Sequence, residues 1–263
     1  MRSRTGLLAV IAVVLLVIGA AAVTWVVFLK GDNVARLALP SNAPAASAVG
    51  GGASAAAGAS AGAAGSGGAA SLAPASGAAI DAASIPGTWT IASDSVVGYR
   101  VRERLANLSA DSDAVGRTNG ITGTAAIGSS GGSISLTAAD FSVDMTSLAS
   151  DKRMRDNRLR SDGIETSAFP TSTFKLTQPV AIPAAAITGS AVDVTLHGDL
   201  TLHGVTKTID LPAKAQINGS VIQVAGSYAF PFSDYQINAP NIGGFVAVQD
   251  NGTLEFLINL AKG

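Results

Sequence analysis

The stretch "SAVDVTLHGDLTLHG", residues 190–204, alternates apolar and polar side chains with a period of two. Val192, Val194, Leu196, Leu200 and Leu202 share one side; Asp193, Thr195, His197, Asp199, Thr201 and His203 share the other. Only an extended strand puts every second side chain on the same face. The same alternation recurs along the chain. Val97, Tyr99 and Val101 oppose Arg100, Arg102 and Arg104, and Ile121, Gly123, Ala125 and Ile127 fall together. Ile134 and Leu136 hold even positions, then Phe141, Val143 and Met145 hold odd ones, and that change of phase predicts a β-bulge near Ala138 and Ala139. Phe174 with Leu176, Ile222 with Val224, Tyr228, Phe230 and Phe232, and Leu254 with Phe256, Ile258 and Leu260 continue the pattern. Asn119-Gly120, Asn218-Gly219 and Asn251-Gly252 are expected as hairpin turns, because both central residues of a type I′ turn need positive φ. About eight strands with one apolar face each predict an all-β antiparallel fold, a single closed barrel or a sandwich.

One stretch breaks the alternation. "SDKRMRDNRLRS", residues 150–161, reads as a short helix capped by Ser150 or Asp151. Lys152, Arg153, Arg155, Arg158 and Arg160 against Asp151 and Asp156 make it the most basic patch of the domain. It is either a solvated charge face or a guide toward anionic lipid headgroups, to which each basic residue adds about 1 kcal/mol near a charged surface.

His197 and His203 are the only histidines. Six residues apart on one strand face, they would stand ~20 Å apart along a straight strand and cannot share a metal. His203-Gly204 falls where the chain turns, so a turn histidine bonded to backbone is the expected role, and no metal is expected. The absence of cysteine removes thiolate ligands, cysteine nucleophiles and disulfides. "GSSGG", residues 128–132, matches the Gly-x-Ser-x-Gly string, but a strand follows it where a nucleophile elbow needs a helix. No catalytic residues and no cofactor are expected. A formal net charge of −1 gives no reason to expect nucleic acid as partner.

The chain ahead of the strands has two other compositions. Residues 7–29 carry no charge. As a helix at ~1.5 Å per residue they would span ~34 Å, enough for a hydrocarbon core of ~30 Å. They are read as an uncleaved transmembrane anchor, with residues 1–6 cytoplasmic and the remainder exported to the extracytoplasmic side; a cleaved signal peptide is the rival reading. Between Pro40 and Ala79 every residue except Asn42, Val49 and Leu72 is Ala, Gly, Ser or Pro. With nothing large to bury, residues 30–84 are expected to be a flexible linker. Residues 85–263 are the folded domain.

The segments "FSVDMTSLASDKRMRDNRLRSDGIETSAFPTSTFKL" and "GDLTLHGVTKTIDLP" together resemble the YceI-like family. "WTIASDSVVGYRVR" and "FPFSDYQI" fit the beginning and end of the same domain. The resemblance covers about residues 87–263. It implies an eight-stranded lipocalin-like barrel that holds a polyisoprenoid or other long-chain amphiphile in its lumen, with no enzymatic activity. Arg155-Asp156, Leu159 and His203-Gly204-Val205-Thr206-Lys207 match the family's motifs and are expected to be structural. Relatives often carry histidine at the position of Arg158 and in the first strand.

The resemblance makes the inward side chains lumen lining: Tyr99, Val101, Ile121, Phe141, Val143, Met145 and Phe174, then Leu176, Val194, Leu196, Tyr228, Phe230 and Phe256. Arg153, Arg155 and Arg158 are expected to contact headgroups or the membrane surface. The expected partners are an isoprenoid or acyl lipid, the membrane through residues 7–29, and a second copy as a possible homodimer. Two alternatives stand beside this reading: a barrel packed shut that binds protein or envelope polymer through its outer face, and a hydrolase.

Overall fold

The computed structural model describes residues 34–40, 81–105, 111–239, 241–242 and 246–263. Residues 7–29, read as a membrane anchor, lie outside them, as does most of the linker. Among the described residues no helix is long and apolar enough to cross a membrane.

The strands are β1 (Gly87–Ile91), β2 (Val96–Leu105), β3 (Asp111–Thr118), β4 (Ile121–Ser130), β5 (Ser133–Asp144), β6 (Ala149–Ser150) and β7 (Thr171–Leu176). They continue as β8 (Val180–Ala181), β9 (Val192–Leu202), β10 (Val205–Asn218), β11 (Val221–Pro231), β12 (Asn241–Ile242), β13 (Val246–Val248) and β14 (Asn251–Lys262). Helix α1 covers Arg153–Ser161, and α2 is a single turn, Ala184–Ile187. Every ladder is antiparallel. The path β1-β4-β5-β7-β9-β10-β11-β14 closes on itself through β1 and β14, giving an eight-stranded barrel.

Several of the eight staves are interrupted. β1 and β2 both pair with β14, at Leu260–Lys262 and Leu257–Thr253 respectively, so they are one stave interrupted at residues 92–95. β3 pairs with β2, and β4 pairs with β1 and β5, so Asn119-Gly120 is a corner in one bent stave and not the expected hairpin. Asn119 Nδ2 donates to Ser95 O (2.7 Å), and Thr118 Oγ1 contacts Ser147 Oγ (2.6 Å) in the 3-10 turn Met145–Ser147 after β5. Three adjacent staves therefore kink together, and β2, β3 and β6 extend the wall beyond the kink.

Asn251-Gly252 likewise corrects the expectation, since Asn251 already pairs with Pro231. The tight hairpins are Gly131-Gly132, His203-Gly204 and Gly219-Ser220, each led by a positive φ. The change of phase is a bulge: Ala126 faces Ala138, Ile127 faces Leu136, and Thr137 is the extra residue, its hydroxyl donating to Ala126 O. This keeps Leu136, Ala139, Phe141 and Val143 all inward.

Residues 34–40, part of the expected linker, lie across the outside of the barrel. Val34 O accepts from Arg100 Nη2 (2.9 Å), Ala35 O accepts from Arg117, Arg36 Nη1 reaches Glu255 Oε1 (3.4 Å), and Pro40 O accepts from Gln216 Nε2 (3.5 Å).

Candidate functional site: an apolar lumen with a polar mouth

The barrel encloses a cavity of about 600 Å³, inside the ~300–1,000 Å³ range of ligand pockets. Its wall follows the period-two code. β9 contributes Val192, Val194, Leu196, Leu200 and Leu202, β10 Ile209, Leu211, Ala215 and Ile217, and β14 Leu254, Phe256, Ile258 and Leu260. Buried Ala186 of α2 lines one end, and in the core Trp89 Nε1 donates to Ile85 O (2.9 Å), both residues being fully buried.

Aromatic rings would fill such a lumen if they pointed across it. Four of them pack instead against a glycine of a neighbouring strand. A Cβ on Gly116 would sit 2.3 Å from Tyr99 Cε1, and one on Gly226 would sit 2.6 Å from Phe256 Cζ. Phe174 covers Gly198 in the same way, 2.4 Å from where a Cβ would stand, and Phe141 lies beside Gly123, where a Cβ would also meet Asp140 O. Missing side chains on one strand thus make room for rings from the next, and the lumen stays open.

Of the solvent-exposed lining residues, Ala181 and Pro183 sit beside α2, and all the others, Asp151, Lys152, Met154, Arg158 and Asp162, lie on α1 and its flanks. This is the mouth. Arg155 is half-buried there; its Nε and Nη2 donate to Glu103 of β2 (3.3 and 3.1 Å) and its Nη1 to Asp151 (2.5 Å). Burial opposes the charge on Arg155, but Glu103 and Asp151 outweigh it and its pKa is raised. α1 is not capped by Ser150 or Asp151 as expected: its N-cap is Lys152, without a side-chain cap bond. Asp156 reaches back instead, accepting from Ser150 N (2.9 Å) and Oγ (2.7 Å), which pins the helix to β6. Arg158 pairs with Asp162 (3.3 Å). The Tyr99 hydroxyl is buried beneath this cluster without a hydrogen-bond partner, and burial pushes its pKa up.

All the expected lumen residues line the cavity except Tyr228. Tyr228 is half-buried and stacks on Phe230 (centroids 6.0 Å apart), which does line the cavity. Arg155 and Arg158 reach the cavity; Arg153 is exposed on α1 and does not. Leu136 and Leu254, which share the alternation, and Leu211 also line the wall.

His203 takes the role expected of a turn residue. Its Nδ1 donates to Tyr235 O (3.0 Å), Nε2 meets Glu165 Oε2 (2.9 Å), and Phe169 packs on the ring. It clamps the segment after α1 and the turn after β11 to the β9–β10 hairpin. His197 meets Asp210 instead (2.5 Å). Among the described residues no group of three or more His, Cys, Asp or Glu lies close enough to hold a metal ion.

A model of the YceI-like domain matches residues 89–260. The chain belongs to the YceI-like family. This YceI-like chain also resembles solved structures at low identity. One is a polyisoprenoid-binding domain from Saccharophagus degradans implicated in plant cell wall breakdown (17% identity, 68% of this chain and 99% of that one, TM-score 0.48). Another is BcnA of Burkholderia cenocepacia (16% identity, 63% and 95%, TM-score 0.47), and a third is a YceI protein of Campylobacter jejuni (19% identity, 51% and 79%, TM-score 0.37). No curated protein matches the chain.

Proposed function

We propose that this protein binds a polyisoprenoid or other long-chain amphiphile in its barrel lumen. In this reading residues 7–29 anchor it in the cell membrane, residues 1–6 are cytoplasmic, and the barrel is extracytoplasmic. The observation that carries the reading is the open apolar cavity of about 600 Å³, whose own aromatic rings lie along its wall. A linear chain entering it exchanges water for Leu, Ile, Val and Phe at ~0.8 kcal/mol per methylene, so ten buried methylenes supply roughly 8 kcal/mol before the cost of association. The polar end of the ligand would remain at the mouth, beside Arg155, Arg158 and the Tyr99 hydroxyl.

Native mass spectrometry of the full chain purified from membranes, followed by organic extraction, tests this. A co-purified lipid of stoichiometric amount supports it. An empty barrel that also fails to take up long-chain fluorescent probes overturns it.

A further inference from the structure

Glu255 lies on the outward face of β14, between inward Leu254 and Phe256, yet is 1% exposed. Its partner Arg100, also outward, is 7% exposed. Outward residues of a free barrel should be wet; these are covered. Residues 34–40 cross over them, with Val34, Leu37 and Leu39 half-buried, and their backbone carbonyls accept from Arg100, Arg117 and Gln216.

The crossing has a direction. Arg100 pairs with Thr253 near the mouth end of β14, whereas Gln216 pairs with Gln223, which faces Asn259 toward the closed end. Those levels are six residues of strand apart, ~20 Å, about the reach of an extended chain from 34 to 40. Val34 also lines the cavity, together with Asp113 and the residues of α1. The chain therefore arrives at the mouth end and runs toward the closed end. Asp81 re-enters at that closed end, where Ser84 O accepts from Lys262 at the end of β14.

We propose that residues 34–40 are a strap that holds the barrel mouth-down on the bilayer, and that the Ala/Gly/Ser/Pro tract closes a loop on the barrel and is not the leash. The inference rests on the reading of residues 7–29 as a membrane anchor. From Leu29 to Val34 the chain spans at most ~18 Å. A flexible linker over residues 30–80 would instead give a root-mean-square span of roughly 40 Å, comparable to the length of β5, and would let any face turn to the membrane. With the strap seated, the face presented is α1. It carries Met154, 83% exposed and the large apolar side chain most open to water among the described residues, with Lys152 and Arg153 exposed beside it. An apolar tip ringed by cations suits an interface of acyl chains and anionic headgroups.

The chain lacks cysteine, so single probes are unambiguous. Met154→Cys at the mouth and Ser130→Cys at the opposite end of the barrel are each labelled with a fluorophore in the full chain. The proteins are reconstituted in phosphatidylcholine–phosphatidylglycerol vesicles bearing a nitroxide-headgroup quencher. Several-fold stronger quenching at 154 than at 130, abolished by an Arg36→Glu/Leu37→Ser strap variant, is the expected result. Arg36 is exposed, so that variant retains the barrel, which circular dichroism checks. Equal quenching at both positions in protein that floats with the vesicles overturns the strap and leaves the anchor standing. Failure to float overturns both.

Discussion

Arg100 shows how charge is handled under the strap. Its Nε donates to Glu255 Oε1 (2.6 Å) and its Nη1 to Asp113 Oδ2 (3.1 Å), while Arg117 approaches Glu255 from the other side (3.6 Å). Hydrogen bonding to Glu255 raises the Arg100 pKa against the opposing effect of burial. Glu255→Ala would leave a buried guanidinium short of its main partner, and breaking a buried pair in this way typically costs about 3 kcal/mol. Urea unfolding of the variant should show that loss as a lower midpoint. Asp113 gives a pH signature. Burial acts to raise its pKa, but hydrogen bonds from Arg102 and Arg100 and their charges overcome this and leave it lowered. A carboxylate held below its unfolded value stabilises the fold above that value, and the contribution disappears as pH falls through the lower, folded one. Asp113→Asn should therefore flatten the acid limb of stability below about pH 4, read as the unfolding midpoint against pH. An unchanged limb would mean that this carboxylate is not linked to folding.

Individual elements were unequally legible in the sequence. The strands announced themselves, because one face is buried throughout and alternation is the direct record of that. The break of phase before Phe141 was visible for the same reason: a bulge at Thr137 leaves the apolar residues inward and shifts only their parity. The turns were harder. Asn-Gly has the dihedral freedom for a hairpin, but at Asn119 the chain uses the pair for a corner, because β3 and β4 have different neighbours. That choice depends on pairings distant in sequence. His203-Gly204 carries weaker turn chemistry and yet makes the β9–β10 hairpin, with φ of 51° and 73°. Phe169 closes over it, 2.8 Å from where a Gly204 Cβ would stand. Gly204→Ala should cost about 1–3 kcal/mol from left-handed backbone strain and this contact together, measured by thermal or urea unfolding. Gly131→Ala is the control. Its φ is likewise positive (59°) but nothing lies within 4 Å, so it should lose only the strain. Equal losses would remove Phe169 from the account.

At the scale of the whole molecule the decisive quantity is empty space, and sequence carried it only indirectly. A list of inward Phe and Tyr residues fits a plugged lumen as well as an open one. What separates the two is which residue stands beside each ring on the next strand, and that requires register. Gly116 allows a clean test. The three nearest atoms to a Cβ there all belong to the Tyr99 side chain, at 2.3, 2.7 and 2.9 Å, and the Gly116 φ is not positive, so alanine is compatible with the backbone and acts first on that side chain. The space open to that ring is the cavity it lines. Gly116→Ala should thus weaken uptake of a long-chain fluorescent probe by about tenfold, equivalent to ~1.4 kcal/mol, with far-ultraviolet circular dichroism unchanged. Adding Tyr99→Ala removes the displaced ring and should recover part of the lost affinity, even though Tyr99→Ala alone also removes the hydroxyl at the mouth. Such reversal is the mark of coupled residues in a double-mutant cycle. If the double variant binds as weakly as Gly116→Ala, the lost affinity comes from the strand and not from the ring, and glycine-seated aromatics are not what keeps the lumen open.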